Sequence, residues 1–271
     1  MMDYPKLRYG LEAFPVEHEG QRMVLLRDRI GFCEAPLLVS PLVAELLMQM
    51  NGHNSLRDLQ AHYVRRTGDL LFSEKLEAIL KMLDDHLFLE NENFLRRAGE
   101  EVDRYLQDPI RRMQYAGKSY PADAEILSQQ LQSFFQPDCG EHGAPGGVDN
   151  CRLVGLMAPH IDIQAGGPCF AYAYKALQET IPPEVWVILG TGHEPLENHF
   201  ALTLKDFETP IGIVQYDHEF CEELIRRAPR DLRASEYNHH REHTIEFQAV
   251  FLAFSQPQAR IVPLLCSLSL E

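Results

Sequence analysis

Two stretches decide the fold of this chain of 271 residues: LVGLMAPH at 153–160 and VWVILGTGH at 185–193. Each is a short apolar run, typical of a buried strand, that ends in a histidine. A proline precedes the first histidine, and two glycines allow a tight turn before the second. In an open α/β sheet, ligands bind beyond the carboxyl ends of the strands. We therefore expect His160 and His193 to lie at a functional edge of a sheet.

The sequence around these stretches alternates between strand patterns and helix patterns, which favours an α/β fold with a layered sheet. The predicted strands are Leu153–Met157, Val185–Leu189, Phe200–Leu204 and Arg260–Leu265. The predicted helices are Ala124–Phe135, Phe170–Glu179, His218–Arg227 and Thr244–Phe254. Residues 137–150 are crowded with Gly, Pro and Asp and predict a surface loop.

The first part of the chain has a different pattern. Three helices are predicted at 40–50, 55–66 and 73–87, with short strands at 23–26, 30–32 and 87–94. This order predicts a small α+β domain. We expect a first domain at 1–98, a linker helix at 99–114 and an α/β domain at 115–271.

Composition excludes several classes of function. The formal net charge of −15 repels phosphate backbones and anionic membrane surfaces, so neither nucleic acid nor a membrane is an expected partner. The chain opens without an apolar signal core and has no apolar run long enough to span a bilayer. The six cysteines form no CxxC pair, which argues against a zinc ribbon. A reducing cytoplasm is the expected location.

Imidazoles at two strand ends suit a metal. Neutral imidazole is a ligand for iron, copper or zinc, so His160 and His193 could begin a metal site that a third ligand would complete. Alternatively, each histidine only caps a strand or lines a turn.

The segment NHHREHTIEFQ at 238–248 is the third cluster of polar residues. If a helix starts there, His243 shares a stripe with aromatic residues, while Glu242 and Glu246 share another stripe. Either carboxylate could bind a metal, orient an imidazole or act as an acid/base; alternatively, both are solvated. Cys169 lies on a predicted helical stripe and is expected to be a small buried hydrophobe.

Several motifs then occur in an order that resembles the Memo family. YAGKSYPADAEILSQQLQSFF at 115–135 is similar to the family's AGSFYP opening and first helix, and the two stretches quoted first are similar to its APHAGY and ILGPSH segments. The TPIG turn at 209–212 and the segments HHREHTIEFQAVFL and ARIVPLLCSLS follow in the family's order.

The resemblance implies a sheet of the type found in class III extradiol dioxygenases, with non-haem iron or copper bound by His160 and His193. It also implies a pocket role for His243 and Glu246, which we take as the candidate catalytic residues. The family's third ligand, a cysteine or carboxylate, comes later in the chain, so we expect the domain to be incomplete at its carboxyl end. The first domain resembles the winged-helix peptide-binding fold of the PqqD type.

Two functions are compatible with this resemblance. One is a mononuclear non-haem metal protein with a redox or oxygenase-like role in a modification system, with radical SAM and AMMECR-type proteins as partners. The other is a scaffold without catalysis whose first domain binds a peptide.

Overall fold

The computed structural model describes residues 3–33, 35–136, 154–178 and 183–268. The chain divides into two compact units, 1–103 and 104–271, so the division falls inside the segment 99–114 that was assigned to a linker. The predicted loop at 137–150 lies outside the described residues. Within the described ranges, no helix combines the length and the apolar character needed to cross a bilayer.

The first unit is a three-stranded antiparallel sheet with helices. Its strands are β1 (Leu11–His18), β2 (Gln21–Asp28) and β3 (Leu37–Val39), in that order across the sheet. The helices are α1 (Pro41–Leu47), α2 (Leu56–Thr67), α3 (Ser73–Asp85) and the start of α4 (Glu92–Gln107). Ser55 and Asp58 form a capping box at the start of α2, and Gly68 ends that helix in the left-handed conformation.

Of the strands predicted for this unit, the one at 30–32 is wrong, and the one at 87–94 is present only as an isolated antiparallel bridge between Leu89 and Leu7. At 30–32 the chain turns instead, because the carboxylate of Asp28 accepts hydrogen bonds from the backbone N–H groups of Ile30 and Cys33, at 3.0 and 2.9 Å. At 87–94 the alternating pattern is interrupted because Asn91 accepts from the N–H of Phe94 at 2.9 Å and α4 begins there. At both places, local hydrogen bonds from the backbone to a side chain prevent the extended conformation that the apolar pattern predicted.

The second unit contains a mixed sheet of six strands among its described residues. They are β4 (Ile110–Arg111), β5 (Val185–Gly192), β6 (Phe200–Leu202), β7 (Asp206–Thr209), β8 (Gly212–Tyr216) and β9 (Arg260–Ser267). The order is β4-β7-β8-β9-β5, with β6 also paired to β9. β5, β8 and β9 are parallel, so the carboxyl ends of these strands share one edge.

Helices cover both faces of this sheet. α5 (Ala124–Phe134), α6 (Ile163–Gln178) and α8 (His243–Ser255) share one apolar core with β9, which includes Leu131, Phe170, Phe251 and Leu265. On the other face, Cys221 of α7 (His218–Arg227) packs with apolar residues of β6 and β9. The unit is therefore a layered α/β structure.

The structure departs from the sequence prediction in the second unit at three places. The described part of the strand predicted at Leu153–Met157, residues 154–157, lies outside any strand. The antiparallel pair β7–β8 was not predicted. Cys169 is exposed rather than buried, because α6 buries the face that carries Ile163, Phe170 and Tyr174, and Cys169 lies off that stripe.

Gly190 allows α8 to approach β5 closely. A Cβ atom at this position would lie 2.7 Å from Ile245 Cγ1 and 2.7 Å from Thr244 Oγ1, closer than non-bonded atoms allow. The hydroxyl of Thr244 in turn donates to the carbonyl of Thr191 at 3.1 Å. The start of α8 is therefore fixed against the end of β5.

We predict that Gly190→Ala lowers the free energy of unfolding by about 1–3 kcal/mol, because the new methyl group overpacks this contact. Urea unfolding followed by circular dichroism measures the change. Gly99→Ala is the control, since Gly99 lies in α4 and a methyl group placed on it would meet no neighbouring atom within 4 Å. An equal loss of unfolding free energy in both variants would contradict the close contact between Gly190 and α8.

His239 fixes the turn that leads into α8. It lies in a 3-10 helix at Glu236–His240, is 1% exposed, and its Nε2 lies 2.9 Å from the carbonyl oxygen of Ala201 in β6. Burial lowers the pKa of His239 to about 4, and the hydrogen bond to Ala201 opposes this only in part. The imidazole is therefore neutral in the folded chain at pH 7.

The depressed pKa of His239 predicts a loss of stability in acid. Between the unfolded pKa near 6.5 and the folded value of about 4, the unfolded chain binds more protons, so stability is present above pH 6.5 and falls as the pH is lowered. The total effect is up to about 3 kcal/mol. Urea unfolding of the chelator-treated protein from pH 7 to pH 4 measures it, and His239→Asn should flatten this part of the profile. An unchanged slope in the variant would contradict the prediction.

Candidate metal centre

Three imidazole rings lie together at the carboxyl edge of the second unit's sheet. His193 follows the last residue of β5, and His243 is the first residue of α8. The rings of His193 and His243 stack with a centroid separation of 4.9 Å. The ring of His160 lies 5.4 Å from that of His193 and 5.9 Å from that of His243. Three segments that are distant in the sequence thus each contribute one imidazole.

Glu242 holds two of these rings. As the N-cap of α8, its Oε1 accepts from the backbone N–H groups of His243 at 2.9 Å and Thr244 at 3.1 Å. Its Oε2 accepts from the N–H of His193 at 2.9 Å, and Nδ1 of His193 lies 3.1 Å from both carboxylate oxygens. Nδ1 of His243 lies 3.2 Å from Oε1. Both Nδ1 atoms face this carboxylate, and the ring of His243 also hydrogen-bonds to the backbone of His160, while Nε2 of His193 points away from Glu242.

The charge states of these groups suit metal binding. Burial raises the pKa of Glu242. The hydrogen bonds from the N–H groups of His193 and Thr244 and the nearby His193 ring lower it by more than burial raises it, so the pKa of Glu242 lies below its usual range. Burial lowers the pKa of His243, and the neighbouring rings of His193 and His160 add to this, while Glu242 opposes it. An anionic carboxylate therefore lies beside a neutral imidazole at pH 7. Ligand imidazoles must be neutral.

A buried ion pair stabilises the backbone that carries Glu242 and His243. Arg111 of β4 and Glu246 of α8 are both fully buried, and the guanidinium of Arg111 donates to the carboxylate of Glu246. Two other N–H groups of Arg111 donate to the backbone carbonyls of His239 at 3.0 Å and Glu242 at 2.8 Å. Arg111 thus fixes the backbone immediately before α8.

Glu246 lies apart from the three rings. Besides Arg111, its carboxylate accepts from the backbone N–H groups of Gln114 at 3.1 Å and Tyr115 at 2.9 Å and from the hydroxyl of Tyr120. Burial and the charge of Glu246 both raise the pKa of Tyr120, which keeps its hydroxyl protonated as a donor. Four donors therefore occupy the Glu246 carboxylate.

Tyr115 connects this buried network to the imidazoles. Its ring packs edge-on against His243 and against Phe247, each at a centroid distance of 5.6 Å, and its hydroxyl donates to the carbonyl of Arg241 at 2.7 Å. Neither Tyr115 nor Arg111 was predicted from the sequence to belong to a site. A buried arginine in a two-residue strand has no periodic pattern that would predict it.

A groove leads away from the imidazoles along β5. Its volume is about 800 Å³, and it is lined mainly by apolar side chains, with His160 at one position. Val187 and Leu189 of β5 are exposed on its wall. Such a groove gives an apolar molecule access to the ring of His160.

The donor groups fit a transition metal. His193, Glu242 and His243 each offer one ligand atom, and these atoms lie within 4.8 Å of one another. Imidazole and carboxylate donors together suit iron, copper or zinc more than the hard cations that prefer oxygen alone. The described residues thus contain a candidate three-residue metal site, with the ring of His160 beside it.

Residues 111–270 match the profile of a family described as Memo-like protein. The chain is 29% identical over 263 residues to a MEMO1 family protein of Aquifex aeolicus, covering 97% of this chain and 66% of that relative. It is 39% identical over 155 residues to a MEMO1 family protein of Methanopyrus kandleri, covering 55% of this chain and 53% of the relative. The chain therefore spans between about half and two thirds of the length of these two relatives.

The matched region includes the imidazole cluster, Glu242 and the Arg111–Glu246 pair, and the A. aeolicus relative also aligns with most of the first unit. Because the family profile covers more than half of the chain, this chain belongs to the Memo-like protein family.

Proposed function

We propose that the chain is a mononuclear non-haem metal protein in which His160, His193 and His243 bind the ion. The observation that carries this proposal is the convergence of three imidazole rings, at centroid separations of 4.9–5.9 Å, beside one buried carboxylate. His243 then acts as an imidazole ligand, whereas the family resemblance implied a catalytic pocket role for it. Iron or copper is the proposed metal, because both accept imidazole ligands and change oxidation state.

Glu242 has an orienting role in this proposal. Its two oxygens already accept from the N–H groups of His193, His243 and Thr244. Its remaining capacity faces the Nδ1 atoms of the two histidines. Such a carboxylate fixes the tautomer and the orientation of a ligand imidazole and increases its basicity. Glu246, with its carboxylate occupied by four donors, serves as a positioning residue through the start of α8 rather than as the catalytic residue that the resemblance implied.

The proposed reaction class is a redox or oxygenase-like modification. A bound iron or copper ion would supply the redox chemistry and open positions for substrate. The chain's own residues hold the three imidazoles, keep His243 neutral and line a largely apolar groove beside His160. From the family resemblance we further propose radical SAM and AMMECR-type proteins as partners, acting in a reducing cytoplasm.

The metal proposal predicts about one equivalent of Fe²⁺ or Cu²⁺ bound to the chelator-treated full chain. Removal of one ligand from three weakens binding strongly, so the single variants His160→Ala, His193→Ala and His243→Ala should each reduce affinity, and the double variant of His160 and His193 should retain only background metal. Elemental analysis after gel filtration and anaerobic titration measure both quantities.

His218→Ala is the control, since this histidine belongs to the same unit, is 68% exposed and lies 3.3 Å from the carboxylate of Glu222. It should bind metal as the wild type does. Background metal in the wild type, or an equal loss in the control, would exclude the site.

We propose a second function, peptide binding, for the first unit, to which we also assign a winged-helix-like fold from the sequence resemblance. The specific observation is that Leu70 and Phe72, two residues apart in the loop between α2 and α3, are 68% and 66% exposed. We propose that these two side chains form part of the apolar surface that a peptide would cover.

Peptide binding predicts that linear peptides selected from a random library on the full chain bind saturably, measured by fluorescence anisotropy. The double variant Leu70→Ser, Phe72→Ser should lose this binding, while Leu95→Ser, which alters an equally exposed leucine of α4, should retain it. Unchanged affinity in the double variant would refute this function for the loop.

A further inference from the structure

The segment that carries His160 reaches the imidazole cluster without belonging to a strand. Residues 154–160 form neither helix nor strand, and Val154 and Met157 are almost fully exposed. A histidine on such a segment needs a separate contact to hold it beside His193 and His243. The side chain of Gln248 supplies one, because its Nε2 donates to the carbonyl oxygen of Pro159 at 3.0 Å.

A tyrosine on another helix orients this amide. Tyr174 of α6 is 4% exposed, and its hydroxyl lies 2.9 Å from Oε1 of Gln248. A carbonyl can only accept, so the amide must present Nε2 to Pro159 and Oε1 to the tyrosine hydroxyl. Burial raises the pKa of Tyr174, which keeps the hydroxyl protonated as the donor. The direction of both hydrogen bonds is therefore set.

From these contacts we infer that Gln248 is a positioning residue for His160, oriented by Tyr174. This inference rests on the proposed metal function for its consequence, since a held His160 is preorganised to bind the ion together with the other two imidazoles. Gln248 lies on the same helix as His243 and its N-cap Glu242, so α8 orders all three histidines. Partners of ligand-bearing groups commonly change metal affinity by about 10–100-fold when they are removed.

The first test measures the position of His160 without any metal. Carbethoxylation by diethyl pyrocarbonate, followed by peptide mass spectrometry, gives the rate for each histidine in the chelator-treated full chain. In Gln248→Met the rate at His160 should rise several-fold, because the half-buried ring is released, while the rate at His218 stays constant. Tyr174→Phe, which removes only the orienting hydroxyl, should raise it less.

Gln256→Met is a matched control at the end of the same helix. Oε1 of Gln256 accepts from Nε1 of Trp186 at 3.1 Å, so this variant also removes one glutamine hydrogen bond from a half-buried position. If the loss of a glutamine hydrogen bond only destabilised α8 in general, His160 labelling would accelerate equally in both methionine variants. That result, or unchanged labelling in Gln248→Met and Tyr174→Phe, would overturn the inference.

The second test links the position to the metal. Fe²⁺ titration of Gln248→Met should give an affinity about 10–100-fold weaker than that of the wild type. Adding His160→Ala to this variant should reduce the Fe²⁺ affinity by a smaller factor than His160→Ala does in the wild type. The reason is that both changes act on the same ligand, His160. Full additivity would contradict a shared role. If the wild type binds no Fe²⁺, the metal function fails, while the labelling rates still decide whether Gln248 positions His160.

Discussion

The buried ion pair between Arg111 and Glu246 is the constraint on which the candidate centre depends. Neither side chain has exposed surface, and a buried charge that loses its partner costs about 3–5 kcal/mol, so the two must remain together. The same guanidinium also donates to the carbonyls of His239 and Glu242. The backbone entering α8 is therefore held by a group that cannot move without a large loss of stability.

From this fixed point, the first two turns of α8 organise two other segments, the end of β5 and the segment that carries His160. Glu242 accepts from the backbone and ring of His193 at the end of β5, Thr244 donates to the preceding strand, and Gln248 donates to the chain just before His160. His243 contributes its own ring. Gly190 makes this possible, since any side chain there would push the helix away from β5. Contacts from one helix, α8, therefore bring the three histidines together.

The sequence predicted the parts of this centre that follow simple rules. His193 follows an apolar strand and a glycine-rich turn, and the structure places it at the carboxyl end of β5. His160 lies beside His193 although the strand predicted at Leu153–Met157 is absent from the described residues. Gln248 contacts the backbone just before His160, so no strand pairing is needed to place it there. Arg111 could not be predicted, since its role depends on carbonyls more than a hundred residues away. Where Asn91 caps α4, a local hydrogen bond overrode a clear strand pattern.

The most direct test of the central claim is the position of a metal in a crystal of the full chain grown with Fe²⁺, located by anomalous diffraction at the iron edge. We expect one strong peak about 2.0–2.2 Å from an imidazole nitrogen of each of His160, His193 and His243, with Glu242 hydrogen-bonded to His193. A peak bound elsewhere on the acidic surface, or none at this edge of the sheet, would contradict the claim that α8 assembles a metal centre.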